Sequence, residues 1–289
     1  MDNKPLFSVL IANYNNGHFL QEAIDSVFSQ TYTNWEIIIV DDGSNDSSFD
    51  LYEKYRNNSR FKIFYNNKNY GVGYTKKRCI ELSNGEFCGF LDSDDALLPE
   101  ALELMVNAFY ENYDVALIFS RMYECDSKLN IISISRLLTI PEGESYFTNL
   151  NYGSEHFSAF RKCKYDLTEG ISDKCLGSED LDLYFKLEEV GKIIILDKIT
   201  YKYRTKITSS LTHKKYYEDH LWGIIVKHNT CIRRGLDSNI YVLEYLKKFG
   251  EYLYNQGVDD GKKQILNTKA YKLGRKIIKP ISFLTKKLR

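Results

Sequence analysis

The sequence predicts an α/β fold, on the strength of three observations. Short apolar runs alternate with amphipathic stretches at a spacing of about 25 residues, the signature of βαβ units. Two of those runs end in acidic loops, Asp41-Asp42-Gly43-Ser44 and Asp92-Ser93-Asp94-Asp95. The run Ile37-Ile38-Ile39-Val40 is β-branched throughout, as suits a parallel strand covered on both faces.

Each element follows from its pattern. Phe7 to Ala12 reads as a first buried strand, ending in the turn-rich Asn13-Tyr14-Asn15-Asn16-Gly17. Leu20, Ala23, Ile24, Val27 and Phe28 fall at i, i+3, i+4, i+7 and i+8, which predicts a helix. A strand over 36–40 is followed by a helix over 48–55 and a strand over 61–65. A loop over 66–73, a helix over 75–82 and a strand over 87–91 come next. A helix over 99–111, with the stripe Leu102, Met105, Val106 and Phe109, leads to a strand over 115–119. Residues 120–178 are less regular, with short strands and loops. Ser178 is expected to cap a helix reaching about Val190, before a strand over 193–196. From Lys215 onward the pattern is helical.

Composition narrows the classes of function. At 289 residues, with 43% hydrophobic and 27% charged residues, the chain has material for a sizeable core. Net charge is zero, with 39 basic and 39 acidic residues, which gives no global footprint for nucleic acid. The six cysteines form no CxxC pair, which argues against zinc and a disulfide framework and for free thiols in a reducing cytosol. Phe7 to Ala12 is too short for a signal-peptide core, and no window approaches 18 apolar residues.

The acids carry the chemistry. Three carboxylates in four residues, Asp92, Asp94 and Asp95, repel one another unless a cation neutralises them. Hard divalent ions such as Mg²⁺ or Mn²⁺ suit such oxygen ligands together with nucleotide phosphates. Taken alone, the segment reads as a solvated acidic turn before the helix near Pro99, and Asp41-Asp42-Gly43-Ser44 reads equally as a turn with a helix cap. In a parallel sheet, however, the loops at Asn13, Asp41 and Asp92 emerge at one edge, where open α/β folds bind ligands. Turn chemistry explains three converging polar loops poorly.

These motifs, in this order, resemble a family 2 inverting glycosyltransferase with the GT-A fold. The resemblance runs through Val9-Leu10-Ile11-Ala12-Asn13-Tyr14-Asn15, Val40-Asp41-Asp42-Gly43-Ser44, Asn69-Tyr70-Gly71, Asn84-Gly85-Glu86-Phe87, Leu91-Asp92-Ser93-Asp94-Asp95 and Ser178-Glu179-Asp180-Leu181-Asp182-Leu183. It covers about residues 6–212. It implies a Rossmann-like mixed sheet flanked by helices over 1–212, with a C-terminal helical appendage over 213–289.

It also implies roles. Ala12, Asn13 and Tyr14, with Asp41 or Asp42, match positions that hold the uracil and ribose of a UDP-sugar, with Asn69 and Gly71 in the same donor-side set. Asp92 and Asp94 match the DxD pair on either side of Ser93, the first near the ribose and the second on Mn²⁺ or Mg²⁺. Asp95 matches a position that orients the sugar. Lys76 and Lys77 stand where relatives carry an Arg-Asn pair, so the charge is kept and the planar fork is lost. Asp180, beside Glu179, matches the general base that takes the acceptor hydroxyl's proton. By itself Glu179-Asp180 reads as helix-dipole satisfaction in a first turn, and the other motifs turn the reading to catalysis. Relatives carry a metal-ligating His after a Tyr-Arg; here Tyr203-Arg204 is followed by Thr205 and Lys206, and His213 is the nearest substitute. His156 matches the acceptor side.

The resemblance therefore implies transfer from a nucleotide-diphosphate sugar to a saccharide or lipid-linked saccharide in surface polysaccharide synthesis. The alternative is a non-catalytic nucleotide-sugar or glycan-binding module on the same scaffold. Residues 262–289 hold ten Lys or Arg and no acid, interleaved with apolar side chains. This reads either as an interfacial stretch on anionic lipid or as a solvated basic tail. The expected location is cytoplasmic, peripheral to the inner membrane face in the first case, and a homo-oligomer is compatible with the reading.

Overall fold

The computed structural model describes residues 4–149, 156–172, 175, 177–205 and 211–255, with the backbone alone for 211–220, 248–249 and 251–255. The basic stretch 262–289 lies outside the described residues. The chain divides into two compact units, 1–214 and 215–289.

In chain order the elements are β1 (Phe7–Asn13), α1 (Gly17–Phe28), β2 (Trp35–Asp41), α2 (Ser48–Tyr55), β3 (Phe61–Tyr65), α3 (Val72–Leu82), β4 (Phe87–Phe90), β5 (Ala96–Leu97), α4 (Ala101–Glu111), β6 (Val115–Cys125), β7 (Ile131–Ile134), β8 (Ala159–Arg161), α5 (Lys162–Tyr165), α6 (Glu179–Glu188), β9 (Lys192–Arg204), α7 (Leu211–Arg234) and α8 (Ser238–Asn255). The strands form one sheet in the order β3-β2-β1-β4-β8-β6-β9-β5, with β7 paired to β6. β3, β2, β1 and β4 are mutually parallel. β8 is antiparallel to both β4 and β6, and β5 is antiparallel to β9, so the second half of the sheet is mixed.

The parallel half forms because its strands can be buried on both faces. Every residue of β2 is buried. Val9, Ile11, Ile37 and Ile39 join one cluster with Leu20, Ile24 and Val27 of α1 and Leu102, Met105 and Phe109 of α4. Leu10 and Ile38, which alternate with them, are equally buried, and α3 packs against β1 and β2.

The differences from expectation lie mainly beyond β4. The two-residue β5, the three-residue β8 and the edge strand β7 carry no periodic signal of their own. β9 runs on to Arg204 instead of stopping near 196, because its second half pairs with β6 and β5. α3 begins at Val72 rather than 75, since Gly71, at φ +95°, supplies the backbone turn that lets the helix start at once. In the second unit α7, from 215 onward, and α8 are helical, with Lys227 Nζ 5.6 Å from the Tyr245 ring centre. Among the described residues, no helix is long and apolar enough to cross a membrane.

Candidate active site

Because β1, β2, β3 and β4 are parallel, the loops after them leave the same edge of the sheet. After β1, Asn16 Nδ2 donates to Ser93 Oγ at 3.0 Å, tying the first loop to the last. The Asn15 amide donates to Ser44 Oγ at 2.9 Å, and Asn15 Oδ1 accepts from the Asn45 amide at 2.8 Å. Ala12 is partly buried, and Tyr14 projects from this knot with 48% of its surface exposed.

The two acids after β2 are both buried and both occupied. Asp41 Oδ1 accepts from the Ser44 amide at 2.7 Å, and Oδ2 accepts from Tyr52 OH at 2.6 Å and Asn13 Nδ2 at 3.2 Å. Burial, and then the Asp41 carboxylate, keep the Tyr52 phenol protonated far above its ordinary range. Asp42 gathers the loop after β3: Oδ1 accepts from Asn66 Nδ2 at 2.7 Å and the Tyr70 amide at 2.9 Å, and Oδ2 from the Gly71 amide at 2.9 Å. Asn69 Oδ1 also accepts from the Gly71 amide, at 3.0 Å. These acids build the wall of the site.

The acids after β4 are differently placed. Asp94 is partly buried, and desolvation together with the Asp92 charge pushes its carboxyl up to about 6. Asp95 is buried, and its carboxyl is pushed well above its ordinary range by desolvation and then by Asp92 and Asp94. The segment is gripped from β9. The Arg204 amide donates to Asp95 Oδ1 at 2.7 Å, and its guanidinium donates to the Asp94 carbonyl, the Ser127 carbonyl and Glu22. Tyr201 OH accepts from the Asp92 amide at 3.1 Å.

α6 brings the remaining acids. Ser178 occupies the position before the helix, as expected, but with φ +54° and no capping hydrogen bond from its side chain. Gly73 of α3 lies so close to α6 that a β-carbon there would stand 3.1 Å from the Cys175 carbonyl and 3.3 Å from Glu179 Cβ. That approach lets Lys76, buried one turn further along α3, reach α6. Its Nζ lies 2.8 and 2.7 Å from the two carboxylate oxygens of Asp180 and 3.6 Å from Glu179 Oε1. Burial alone would pull the ammonium down, but Asp180, Asp92 and Glu179 hold it well above its ordinary value. His156 lies between Tyr201 and Tyr203, its ring centre 5.0 and 5.2 Å from theirs and nearly parallel to both. Desolvation keeps it neutral against the pull of Asp92 and Asp180.

The structure thus brings Asp92, Lys76, Glu179, Asp180 and His156 into one electrostatic cluster, with Asp94 and Asp95 beside Asp92. The side chain of His213 lies outside the described residues, and the expectation for it rests there. Three residues escaped the sequence reading. Tyr52 and Asn66 sit in a helix and a loop with no spacing relation to the acids they hold. Tyr201 shares a face of β9 with Tyr203 by strand alternation, a signal visible only once β9 is known to be long.

Comparison with known proteins decides the family. The family description "Glycosyl transferase family 2" matches residues 8–166. The chain belongs to that family. This family 2 chain is 33% identical over 198 residues to a chondroitin synthase of Escherichia coli, covering 68% of this chain and 28% of that protein. It is 29% identical over 256 residues to a hyaluronan synthase of Pasteurella multocida, covering 87% of this chain and 26% of the relative. It therefore spans about a quarter of the length of these curated relatives. The crystal structure of S. aureus TarS 1–349 in complex with UDP-GlcNAc superposes with a TM-score of 0.63 at 20% identity, covering 89% of this chain and 77% of that one. That likeness establishes the GT-A fold.

Proposed function

We propose that the chain transfers a sugar, with inversion, from a UDP-sugar to a hydroxyl of a saccharide or lipid-linked saccharide in surface polysaccharide synthesis. The observation that carries this reading is the double hold on Lys76: Asp180 binds it directly and Asp92 acts on it from the DxD segment. A carboxylate fit for a base and carboxylates fit for a cation thereby lie within one electrostatic neighbourhood. TarS in complex with UDP-GlcNAc, and relatives named chondroitin synthase and hyaluronan synthase, support the donor and acceptor classes.

The donor set fits a hard divalent ion. Among the described residues no group of three His, Cys, Asp or Glu is placed to hold a metal by itself. Asp94, with Asp92 beside it, offers the one or two carboxylates that Mg²⁺ or Mn²⁺ takes when substrate phosphates complete its shell. The upward push on Asp94 marks crowded negative charge that such an ion would relieve. When bound, the ion offsets charge developing on the leaving diphosphate.

The protein's own residues do the rest. Tyr14 and the Ala12–Asn13 strand end, with Asp42 fixing the Asn69–Gly71 loop, hold the base and ribose. Asp41 holds Asn13 and Ser44 in place behind them. Ser93 and Arg204 fix the segment bearing Asp92, Asp94 and Asp95, and Asp95 orients the sugar. Asp180, with its side chain 31% exposed, takes the acceptor hydroxyl's proton. The acceptor oxygen bonds to the anomeric carbon as the bond to the diphosphate breaks on the opposite face. Residues 262–289 dock on anionic lipid at the cytoplasmic face, bringing the site to a lipid-linked acceptor.

Asp180→Asn tests the reading. Transfer from a UDP-sugar with Mn²⁺ should fall by about 10²- to 10⁴-fold, the usual worth of a positioned base, while UDP binding is not weakened. Equal loss of transfer and binding contradicts the assignment of Asp180. A wild-type protein that binds UDP and transfers to no saccharide is a binding module instead.

A further inference from the structure

The contact between Lys76 and Asp180 joins residues 104 positions apart, on two different helices. The ammonium spans both oxygens of the carboxylate, at 2.8 and 2.7 Å. The Lys76 side chain is only 7% exposed, while that of Asp180 is 31% exposed. The Lys76 ammonium also lies 5.2 Å from the Phe90 ring centre, where β4 ends just before Asp92. The cation therefore stands between the carboxylate that would receive the acceptor's proton and the segment that would receive the donor's diphosphate.

Both oxygens of Asp180 are engaged by one ammonium. A carboxylate so held has fewer lone pairs open to a hydroxyl. Lysine suits an exchange of partners: it is a compact charge on a flexible stem with three donors, where an arginine fork fixes its geometry. A diphosphate carries more negative charge than one carboxylate and competes for the same cation.

We propose that Lys76 is a positioning residue that keeps Asp180 closed to the acceptor until the donor's diphosphate draws its ammonium away. Donor binding then precedes acceptor deprotonation and makes it available. The inference rests on the reading of the site given under Proposed function, since it requires a diphosphate beside Asp92.

The test is calorimetric titration with UDP and Mn²⁺, and separately with uridine. Asp180→Asn removes the two close contacts and leaves the ammonium only Glu179 at 3.6 Å, so UDP should bind about tenfold tighter than to wild type. Lys76→Met should bind UDP about tenfold more weakly and uridine unchanged, because only the diphosphate gains the ammonium. The double variant should match Lys76→Met. A residue with a merely structural part would not move UDP affinity in opposite directions in the two single variants. If Asp180→Asn binds UDP no tighter than wild type, the exchange is overturned. Should that variant fail to fold, Lys76→Met decides: equal affinity of variant and wild type for UDP, or equal losses for UDP and uridine, overturns it. Wild-type protein that does not bind UDP with Mn²⁺ overturns the reading of the site itself, and the exchange with it.

Discussion

Two acidic loops leave the same edge of the sheet, and they differ in almost every physical respect. After β2, Asp41 and Asp42 are buried, and each accepts three hydrogen bonds from its own neighbourhood. After β4, Asp92, Asp94 and Asp95 crowd one another, and burial drives the last two toward their protonated forms. The first pair is paid for internally and holds loops in place. The second set stores unrelieved repulsion, which folding alone does not select and which a cation with a diphosphate would remove. Acids on one sheet edge can thus be satisfied from within or left crowded, and their hydrogen-bond partners tell which.

Stability measurements on single substitutions distinguish satisfied acids from crowded ones. Asp41→Ala strands the Ser44 amide and the Tyr52 hydroxyl proton, while Asn13 Nδ2 keeps Ser48 Oγ and Tyr52 OH as acceptors. The substitution should cost about 3 kcal/mol. For a unit of this size that is roughly a 10 °C fall in melting temperature. A variant that melts with wild type would put Asp41 in the second class.

Asp94→Asn should act in the opposite direction. The Asp94 pKa rises from 3.8 to about 6 on folding, so the folded state binds the proton more tightly than the unfolded chain. Ionisation therefore costs the folded state nothing well below pH 4, an increasing amount between pH 4 and 6, and a constant amount above. Removing the charge should stabilise the metal-free protein by about 2 kcal/mol at pH 7.5. The gain should vanish as pH falls to 4. A destabilised variant at pH 7.5, or a gain that persists at pH 4, would show that Asp94 is not under repulsion.

Ser93→Ala is the mildest test. It removes the acceptor for Asn16 Nδ2 and loosens the tie between the first and last loops, at about 1 kcal/mol. Chemical denaturation reads it directly, and no change would mean that the two loops are held by backbone geometry alone.

The sequence made the parallel half of the sheet legible. Buried β-branched runs such as Ile37 to Val40 admit few other placements, and strands there begin and end within a residue or two of expectation. The mixed half was harder for a physical reason. β5 and β8 are strands because longer neighbours offer them hydrogen-bonding edges, not because their residues favour extension. In the site, carboxylates in suggestive triplets could be seen, but their division of labour could not. That Asp41 is spent on Tyr52, and Asp180 on Lys76, depends on side chains meeting across 11 and 104 residues. Lys76 was legible only as a substituted charge; its burial against α6 requires Gly73 to let the helices approach.

On the proposed function, a cation and a diphosphate together relieve the crowded acids after β4. The most direct measurement is the melting temperature of wild type and Asp94→Asn with UDP, in the presence and absence of Mn²⁺. A ligand stabilises the folded state only to the extent that it binds it. UDP should raise the wild-type melting temperature markedly more with Mn²⁺ than without, and the Mn²⁺-dependent part should disappear in Asp94→Asn. A UDP shift that ignores Mn²⁺ in wild type, or that survives intact in the variant, would mean that Asp94 holds no cation beside the diphosphate.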